Sequence, residues 1–294
     1  MFVAKHSKIF VGILVVLVIV SLISIWRYGL NLGMDFTGGS RLEVDYPGGL
    51  PDIVKVRNAV DALNLNATVQ PIGATGLMVK ARDLKESDRI ALINALAIDG
   101  IKVIDKQFTS VGPTIGKELR MKSIYSIILV LLAITLFIAF AFRQVSGVVK
   151  SWEYGLVTII TLAHDVVIPL GIFAYLGSAY GVEIDSLFVT ALLTILGFSV
   201  HDTIVVFDRI RENIKLKKSR DFVEVVGMSL YQTVSRSINT SLAVVLTLLA
   251  LLYLGSESVK YFSLALIIGI IAGTYSSVLL ASPLLVVIQS WKKR

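Results

Sequence analysis

The chain has 294 residues, of which 55% are apolar; it has no cysteine and a net charge of +7. Soluble domains contain about 45–50% apolar residues, so this composition excludes an ordinary soluble protein, and the lack of cysteine excludes disulfide bonds and thiolate metal sites. The basic residues cluster beside apolar blocks, where they set membrane orientation, and this placement argues against a nucleic-acid partner.

Six apolar blocks of about 18–26 residues are each long enough to cross a membrane as a helix. The first block follows Lys5 and Lys8 as in a signal peptide, but it is longer than a usual signal and no small-residue cleavage site follows it. We therefore predict a retained first helix. The six predicted membrane helices span residues 8–26, 122–142, 152–176, 185–207, 234–254 and 261–288.

Residues 28–118, between the first two predicted helices, are the one stretch with a water-soluble pattern. Its predicted elements follow the order β-α-β-β-α-β, which is the split-βαβ or ferredoxin-like plan. Alternating apolar residues predict the strands and helical spacing predicts the helices. The predicted strands span residues 41–46, 67–72, 77–81 and 101–111, and the predicted helices span 52–63 and 87–96.

The basic residues of the short loops predict the orientation of the chain. Loops on one side carry nearly all of them, whereas the short loops on the other side carry only Lys260. By the positive-inside rule both termini are cytoplasmic and residues 28–118 are outside. The fold class is therefore a membrane all-α six-helix bundle with an inserted extracytoplasmic α+β ferredoxin-like domain. The predicted divisions are 1–27, 28–118 and 119–294, with a cytoplasmic loop at 208–233 whose apolar spacing indicates a helix on the inner membrane surface.

Ionisable side chains inside membrane helices are costly, so they are candidates for functional sites. They are His164 and Asp165 on the third predicted helix, His201 and Asp202 on the fourth, and Arg236 on the fifth. The predicted topology places Asp202 and Arg236 at similar depths near the cytoplasmic end of neighbouring helices. It places Asp165 near the middle of the membrane. Together these groups predict a polar route from the middle of the bilayer towards the cytoplasm.

Two interpretations of Asp202 and Arg236 remain open. The pair could be a permanent ion pair that joins two helices, or Asp202 could exchange a proton beside a guanidinium that favours its ionised form. Apolar packing would join the helices at least as well as a buried ion pair, which favours proton exchange. His164 and His201 are further relay candidates, although adjacent helix positions do not face each other.

The sequence contains no motif for an enzyme or a metal site. Residues 112–118 resemble a phosphate-binding loop, but the spacing is one residue short and the Ser or Thr is missing. Asp165 and Asp202 lack the Gly-x-Gly-Asp context of intramembrane aspartyl proteases. We therefore predict that the chain is not an enzyme, has no catalytic residue and needs no cofactor or metal.

Small residues recur at every fourth position in the sixth predicted helix, beginning with Gly269 and Gly273. This small-xxx-small pattern lets helices approach closely. It predicts tight packing either within the bundle or against a partner.

Several strings resemble those of the SecD/SecF family, in the same order along most of the chain. Residues 33–39 read Gly-Met-Asp-Phe-Thr-Gly-Gly and resemble the segment that follows the first helix of the family. The entry into the second helix resembles that of the family, and so do the signatures of helices four to six. One departure is His201, where many members carry Asn. These further strings occupy residues 111–119, 194–213, 232–241 and 269–277.

The resemblance implies a subunit of the Sec protein-export machinery in the cytoplasmic (inner) membrane, with a bundle like one half of an RND transporter. It would pair with a SecD-like subunit and work with a SecYEG-type channel and a YajC-like accessory protein. It would sit in membrane lipid and use protons of the proton motive force to move exported unfolded polypeptide. The essential membrane Asp of the family maps onto Asp202, and its helix-five Arg maps onto Arg236.

The resemblance also implies that residues 35–39 form a structural junction where the first helix meets the outer domain. The alternative role for these residues is direct contact with the substrate. Two rival functions remain, an RND-type proton-driven exporter half for small molecules or lipids and a passive scaffold. The small outer domain favours a SecD/SecF-like subunit over an exporter half, because a drug pump usually carries two large outer domains in one chain of twelve helices. The junction comprises Asp35, Phe36, Thr37, Gly38 and Gly39.

Overall fold

The computed structural model describes residues 2–82, 84–98, 101–143, 149–216 and 221–292. The chain divides into two compact units. One, here called the membrane unit, comprises Met1–Asn31 and Ile124–Arg294, and the other, the sheet unit, comprises Leu32–Ser123. In the described ranges, six helices are long and apolar enough to cross a membrane, which confirms the number predicted from the sequence.

The helices and strands follow one another in a simple order, with the last membrane helix interrupted by one π-helix. In chain order they are α1 (Phe2–Lys5), α2 (Ser7–Tyr28), α3 (Met34–Thr37), β1 (Gly39–Asp45), α4 (Ile53–Asp61), β2 (Thr68–Ile72), β3 (Gly76–Ala81), α5 (Glu86–Leu96), β4 (Ile104–Val111), α6 (Pro113–Ala141), α7 (Ser151–Tyr180), α8 (Ser186–Leu216), α9 (Phe222–Leu254), α10 (Glu257–Ser276), the π-helix (Ser277–Ala281) and α11 (Ser282–Lys292).

The membrane unit has three central helices and three more exposed ones. Helices α7, α8 and the last helix, which runs through α10, the π-helix and α11, bury much of their surface. Helices α2, α6 and α9 leave most of their large apolar side chains exposed, as expected for surfaces that face lipid or another membrane protein. The buried polar residues of the bundle are concentrated on the central helices and on one face of α9.

Two helix boundaries differ from the prediction in a way that changes the predicted loop at 208–233. Helix α8 continues to Leu216, and α9 begins at Phe222 rather than at residue 234. The segment 222–233 therefore forms no separate surface helix. Its apolar face packs into the core, because Phe222, Val226 and Leu230 join the cluster that includes Phe207. Residues 217–220 lie outside the described part of the chain.

The sheet unit contains the predicted order of elements, β-α-β-β-α-β. Its four strands are all antiparallel and lie in the order β2-β3-β1-β4. One face of the sheet is covered by α4 and α5, and the shared core includes Leu42, Val79 and Leu92. The Tyr46 hydroxyl donates a hydrogen bond to the Leu96 carbonyl at 3.1 Å, which ties the end of β1 to the end of α5.

Candidate functional site

A carboxylate lies at the centre of the membrane unit. Asp165 on α7 is fully buried, and its Oδ1 is 2.9 Å from Nδ1 of His164. Its Oδ2 accepts one hydrogen bond from Ser199 of α8 and another from Ser276 of α10, the latter at 3.0 Å. Three central helices thus supply hydrogen-bonding groups to one buried acid, as burial of a charge requires.

The imidazole of His164 links this acid to an aromatic residue of α10. His164 is 2% exposed, and its ring packs edge-to-face against Tyr275 with 5.4 Å between centroids. The Tyr275 hydroxyl lies 3.4 Å from Nε2 of His164. Helical spacing argued against contact between His164 and Asp165, but the two side chains do meet, because both reach towards α10.

Asp202 is another buried acid of the bundle, and one of its two oxygens is not satisfied by the described residues. It lies three residues after Ser199 on α8 and is 3% exposed. In the described chain its Oδ2 has no hydrogen-bond partner, and the buried hydroxyl of Ser237 on α9 has none either. A carboxylate oxygen and a hydroxyl that both lack partners form a site where a proton or a water molecule would gain hydrogen bonds.

Arg236 does not form the ion pair that its predicted depth suggested. Its side chain is exposed, and no described carboxylate lies within 4 Å of it, Asp202 included. The reason is rotational: Ser237 faces the core, and adjacent positions on a helix point about 100° apart. His201 is likewise exposed beside the buried Asp202, so it faces away from the acid cluster.

The sequence reasoning missed the hydroxyl groups of the site. Ser199, Ser276, Ser237 and Tyr275 contact or adjoin the two buried acids, yet Ser and Thr are common in membrane helices, where they can bond to their own backbone. The available signal was spacing, since Ser199 precedes Asp202 by three positions and therefore shares its helix face.

The small residues of α10 pack within the bundle, which is one of the two roles predicted for them. A Cβ atom on Gly269 would overlap the side chain of Ile195 on α8. A Cβ atom on Gly273 would lie 2.8 Å from Cβ of Ser199. The glycines therefore allow α10 to approach α8 closely, and this approach lets Ser199 and Ser276 reach the same carboxylate oxygen.

The motif that contains Asp35, Phe36, Thr37, Gly38 and Gly39 lies in the sheet unit. Its first part forms α3, in which Phe36 is buried and the Thr37 hydroxyl donates to the Gly33 carbonyl at 3.1 Å. Gly38 has a φ of +78°, and a Cβ atom there would lie 2.8 Å from Cα of Pro113. The motif thus packs directly against the first turn of α6. That turn belongs to residues 111–119, which also resemble the SecD/SecF family.

A second polar cluster, which the sequence did not predict, joins the start of α7 to the end of the last helix. The fully buried Glu153 accepts a hydrogen bond from Gln289 at 2.7 Å and one from the Lys150 backbone at 2.8 Å. It also forms an ion pair with Lys292. This cluster fixes the position of α11 relative to α7.

The chain is similar to known proteins along most of its length. The family model described as "Protein export membrane protein SecD/SecF, C-terminal" matches residues 94–291, and the one described as "SecD/SecF GG Motif" matches residues 23–46. The protein translocase subunit SecF of Thermobaculum terrenum is 45% identical over 91% of this chain and 86% of its own length. That of Anaerolinea thermophila is 37% identical over 97% of this chain and 95% of its own length.

A solved structure has a similar fold. The crystal structure of SecDF, a translocon-associated membrane protein from Thermus thermophilus, superposes with a TM-score of 0.84 at 32% identity. The superposition covers 99% of this chain and 38% of the SecDF chain, so this chain spans little more than a third of that larger protein.

Proposed function

The chain belongs to the SecD/SecF family of protein export membrane proteins, and from that premise we propose that it couples the proton motive force to the movement of exported polypeptide. Its role is that of a SecF-like subunit of the Sec machinery, as in relatives that match it over nearly their whole length. The proposal adds to this role that protons supply the energy for movement of the polypeptide.

The observation that carries the proposal is the pair of buried acids, Asp165 and Asp202, within the apolar spans of α7 and α8. A membrane protein retains such groups at a cost of several kcal/mol. Apolar packing would hold the helices together equally well. Each proton that crosses a potential of 100 mV releases about 2.3 kcal/mol, which is enough to bias a change of shape in the bundle.

The two acids support different roles in that cycle. Asp165 has hydrogen-bonding groups on both carboxylate oxygens, which fix its position between three helices. Asp202 has one buried oxygen without a partner in the described chain, and a proton placed there would gain hydrogen bonds. We therefore assign Asp202 as the group that takes up a proton from the outside and releases it towards the cytoplasm.

A SecD-like subunit would cover the polar outer face of α8 and α9. The exposed faces of α2 and α6 are apolar and suit lipid, whereas α8 and α9 expose polar groups within their apolar spans. A charged side chain at the centre of a membrane helix costs about 2.5–3.5 kcal/mol in lipid, so a protein partner is the better neighbour. The exposed polar residues of this face are Thr190, Thr194, His201, Arg236, Asn239 and Thr240.

The remaining assignments follow the family and the charge pattern. We place both termini in the cytoplasm of a cell with the chain in its inner membrane, and the sheet unit outside. The strand order β2-β3-β1-β4 with two helices supports the ferredoxin-like plan. A SecYEG-type channel and a YajC-like accessory protein are the further expected partners. A sheet unit of this small size favours the SecF-like role over an RND-type exporter half.

The test combines partner identification with transport. The full chain, purified in mild detergent from its native membrane, should bring down a SecD-like subunit. Membrane vesicles that contain the chain should translocate a preprotein faster when a proton gradient is imposed. Asp202→Asn should remove this stimulation at normal protein level and with the partner still bound. Full stimulation in that variant would support the passive scaffold instead.

A further inference from the structure

We propose that Tyr275 is the entry of a proton relay that passes through His164 to Asp165, and that Ser199 and Ser276 orient the carboxylate so that Oδ1 receives the proton. The inference rests on the proposed function and deepens it, because it adds four residues and a direction of transfer to the two buried acids.

The two ring nitrogens of His164 face different partners. Nδ1 lies 2.9 Å from Asp165 Oδ1, and Nε2 lies 3.4 Å from the Tyr275 hydroxyl. A neutral imidazole carries one proton and accepts with its other nitrogen. While Asp165 is ionised, the proton belongs on Nδ1, where it donates to the carboxylate. Nε2 is then an acceptor that faces Tyr275.

The depth of the side chains gives the relay its direction. Asp165 is fully buried and His164 nearly so, whereas Tyr275 is only partly buried. Tyr275 is therefore the member of the three through which we take the proton to enter. The phenol also shields the imidazole, since the two rings pack edge-to-face.

Transfer along this route balances in protons. Tyr275 gives its hydroxyl proton to Nε2 and regains one from the exposed side, which leaves a transient imidazolium. Nδ1 then gives its proton to Oδ1 of Asp165. The result is a neutral carboxylic acid beside an imidazole that carries its proton on Nε2. For each proton that enters at Tyr275, Asp165 gains one proton. The same steps in reverse release the proton from Asp165.

The two serines decide which oxygen takes the proton. Both hydroxyls donate to Oδ2, so the lone pairs of that oxygen are occupied and Oδ1 remains for the exchange with His164. Because Ser199 lies on α8 and Ser276 on α10, this orientation lasts only while three helices keep their present packing. A movement of α10 would therefore withdraw the Ser276 hydroxyl from Oδ2, which links the relay to the shape of the bundle.

Few other ionisable groups face this carboxylate. From α7 and α10 the neighbours are His164 and Tyr275, and on α8 the nearest acid is Asp202, one turn from Ser199. Helix α2, which also packs against α7, has its only charged residues near its ends, at Lys8 and Arg27. No described Lys or Arg forms an ion pair with Asp165, so the imidazole is its exchange partner.

The relay can be read directly in the full chain reconstituted in lipid nanodiscs. The sequence has 3 histidines, so the nitrogen-15 signals of His164 are assigned by their loss in His164→Gln. The carboxyl infrared band of Asp165 is assigned by its loss in Asp165→Asn. On acidification we expect the protonated carboxyl band to appear together with movement of the ring proton from Nδ1 to Nε2. If Nδ1 keeps its proton while the carboxyl is protonated, the relay is wrong.

Tyr275→Phe tests the entry, because it removes the hydroxyl and keeps the ring. We expect proton exchange at His164 to slow by roughly 10²-fold, the usual contribution of a positioned proton-transfer group. An unchanged exchange rate would overturn the assignment of Tyr275. Ser276→Ala should shift the carboxyl band of Asp165, and Ser276→Thr, which restores a hydroxyl, should return it. A band that Ser276→Ala leaves in place would exclude the orienting role.

The spectroscopy needs no partner or preprotein, which separates this inference from the proposed function. If Tyr275→Phe changes nothing while Asp202→Asn abolishes stimulated translocation, the relay fails and the proposed function stands. If the relay is observed but Asp202→Asn leaves translocation stimulated, the proposed function fails. When both hold, Tyr275→Phe should lower stimulated translocation with the SecD-like subunit still bound.

Discussion

Asp202 and Arg236 lie on packed neighbouring helices, yet no ion pair joins them, because the carboxylate faces the bundle core and the guanidinium faces its surface. Asp202 therefore has no ion-pair partner among the described residues. In the proposed mechanism, Asp202 would carry the proton and Arg236 would face the SecD-like subunit.

Asp202→Asn should abolish the stimulation of preprotein translocation by a proton gradient, because an amide cannot exchange the proton. The measurement is the translocation rate in membrane vesicles with and without the gradient. Asp208→Asn is the matched control, since Asp208 is an exposed acid six positions later on the same helix. Equal loss in the two variants would point to a general charge effect rather than to the buried site.

A cysteine placed at Thr194 should cross-link to the SecD-like subunit, because Thr194 lies on the exposed polar face of α8. The chain has no cysteine of its own, so the introduced thiol is unique and its product can be identified by mass. Leu129→Cys serves as the control, since Leu129 is 69% exposed on the apolar face of α6. Cross-linking from Leu129 but not from Thr194 would place the SecD-like subunit against α6, which would contradict the proposed contact with α8 and α9.

Gly38→Ala should destabilise the sheet unit by about 1–3 kcal/mol, the usual cost of a residue held in an unfavourable backbone region. Its φ is +78°, and the new methyl group would press on the backbone of Pro113. Proteolysis of the full chain under native conditions measures the effect as faster cleavage within residues 32–123. Gly48→Ala, at a site with open space around it, should leave the cleavage rate nearly unchanged.

Gly273→Ala should impair the bundle although it adds one methyl group. The added group would meet Ser199, and overpacking of this kind costs about 1–3 kcal/mol. The displaced Ser199 would also weaken its hydrogen bond to Asp165, so the carboxyl infrared band of Asp165 should shift. Gly197→Ala adds the same methyl at an exposed position of α8, so it should leave the band in place and should not lower the unfolding temperature.

Asp45 should titrate below the usual range in the folded sheet unit. The hydrogen bond from the Thr75 hydroxyl, at 2.8 Å, and the nearby Lys106 ammonium lower the pKa of this carboxyl. Because the folded pKa is the lower one, the stabilisation is present above the unfolded pKa and is lost as the pH falls through the folded pKa. Thr75→Val should raise the pKa, as read from carbon-13 carboxyl shifts, and Thr68→Val on exposed β2 should not.

Much of the fold was predictable because apolar length and alternation determine it. The six membrane helices and the six predicted elements of the sheet unit are all present, whereas the short helix α3 was not predicted. The ends of α8 and α9 were not predictable in the same way. Polar and basic residues extend both helices beyond the apolar spans, and the burial of Phe222 against Phe207 that stabilises the extension is a long-range contact.

The candidate site was predictable in its charged members and not in its hydrogen bonds. Asp165 and Asp202 stand out because an acid is rare in an apolar helix. Their depth could be inferred from topology, but the direction of Arg236 could not, since one residue of rotation separates a core position from a surface one. The serines that bond to Asp165 come from two other helices, and such a meeting point depends on packing that no single segment specifies.

The π-helix at Ser277–Ala281 divides the last helix into two parts that are out of phase. A π turn accommodates one extra residue, which offsets all later side chains by about 100° relative to an unbroken α-helix. Ser276, which binds Asp165, lies just before the π-helix, whereas Gln289 and Lys292, which bind Glu153, lie after it. If the π-helix closed into regular α-helix, the later part of the helix would turn by about 100° relative to the earlier part. Such a change would rotate the contacts to Glu153 against those to Asp165.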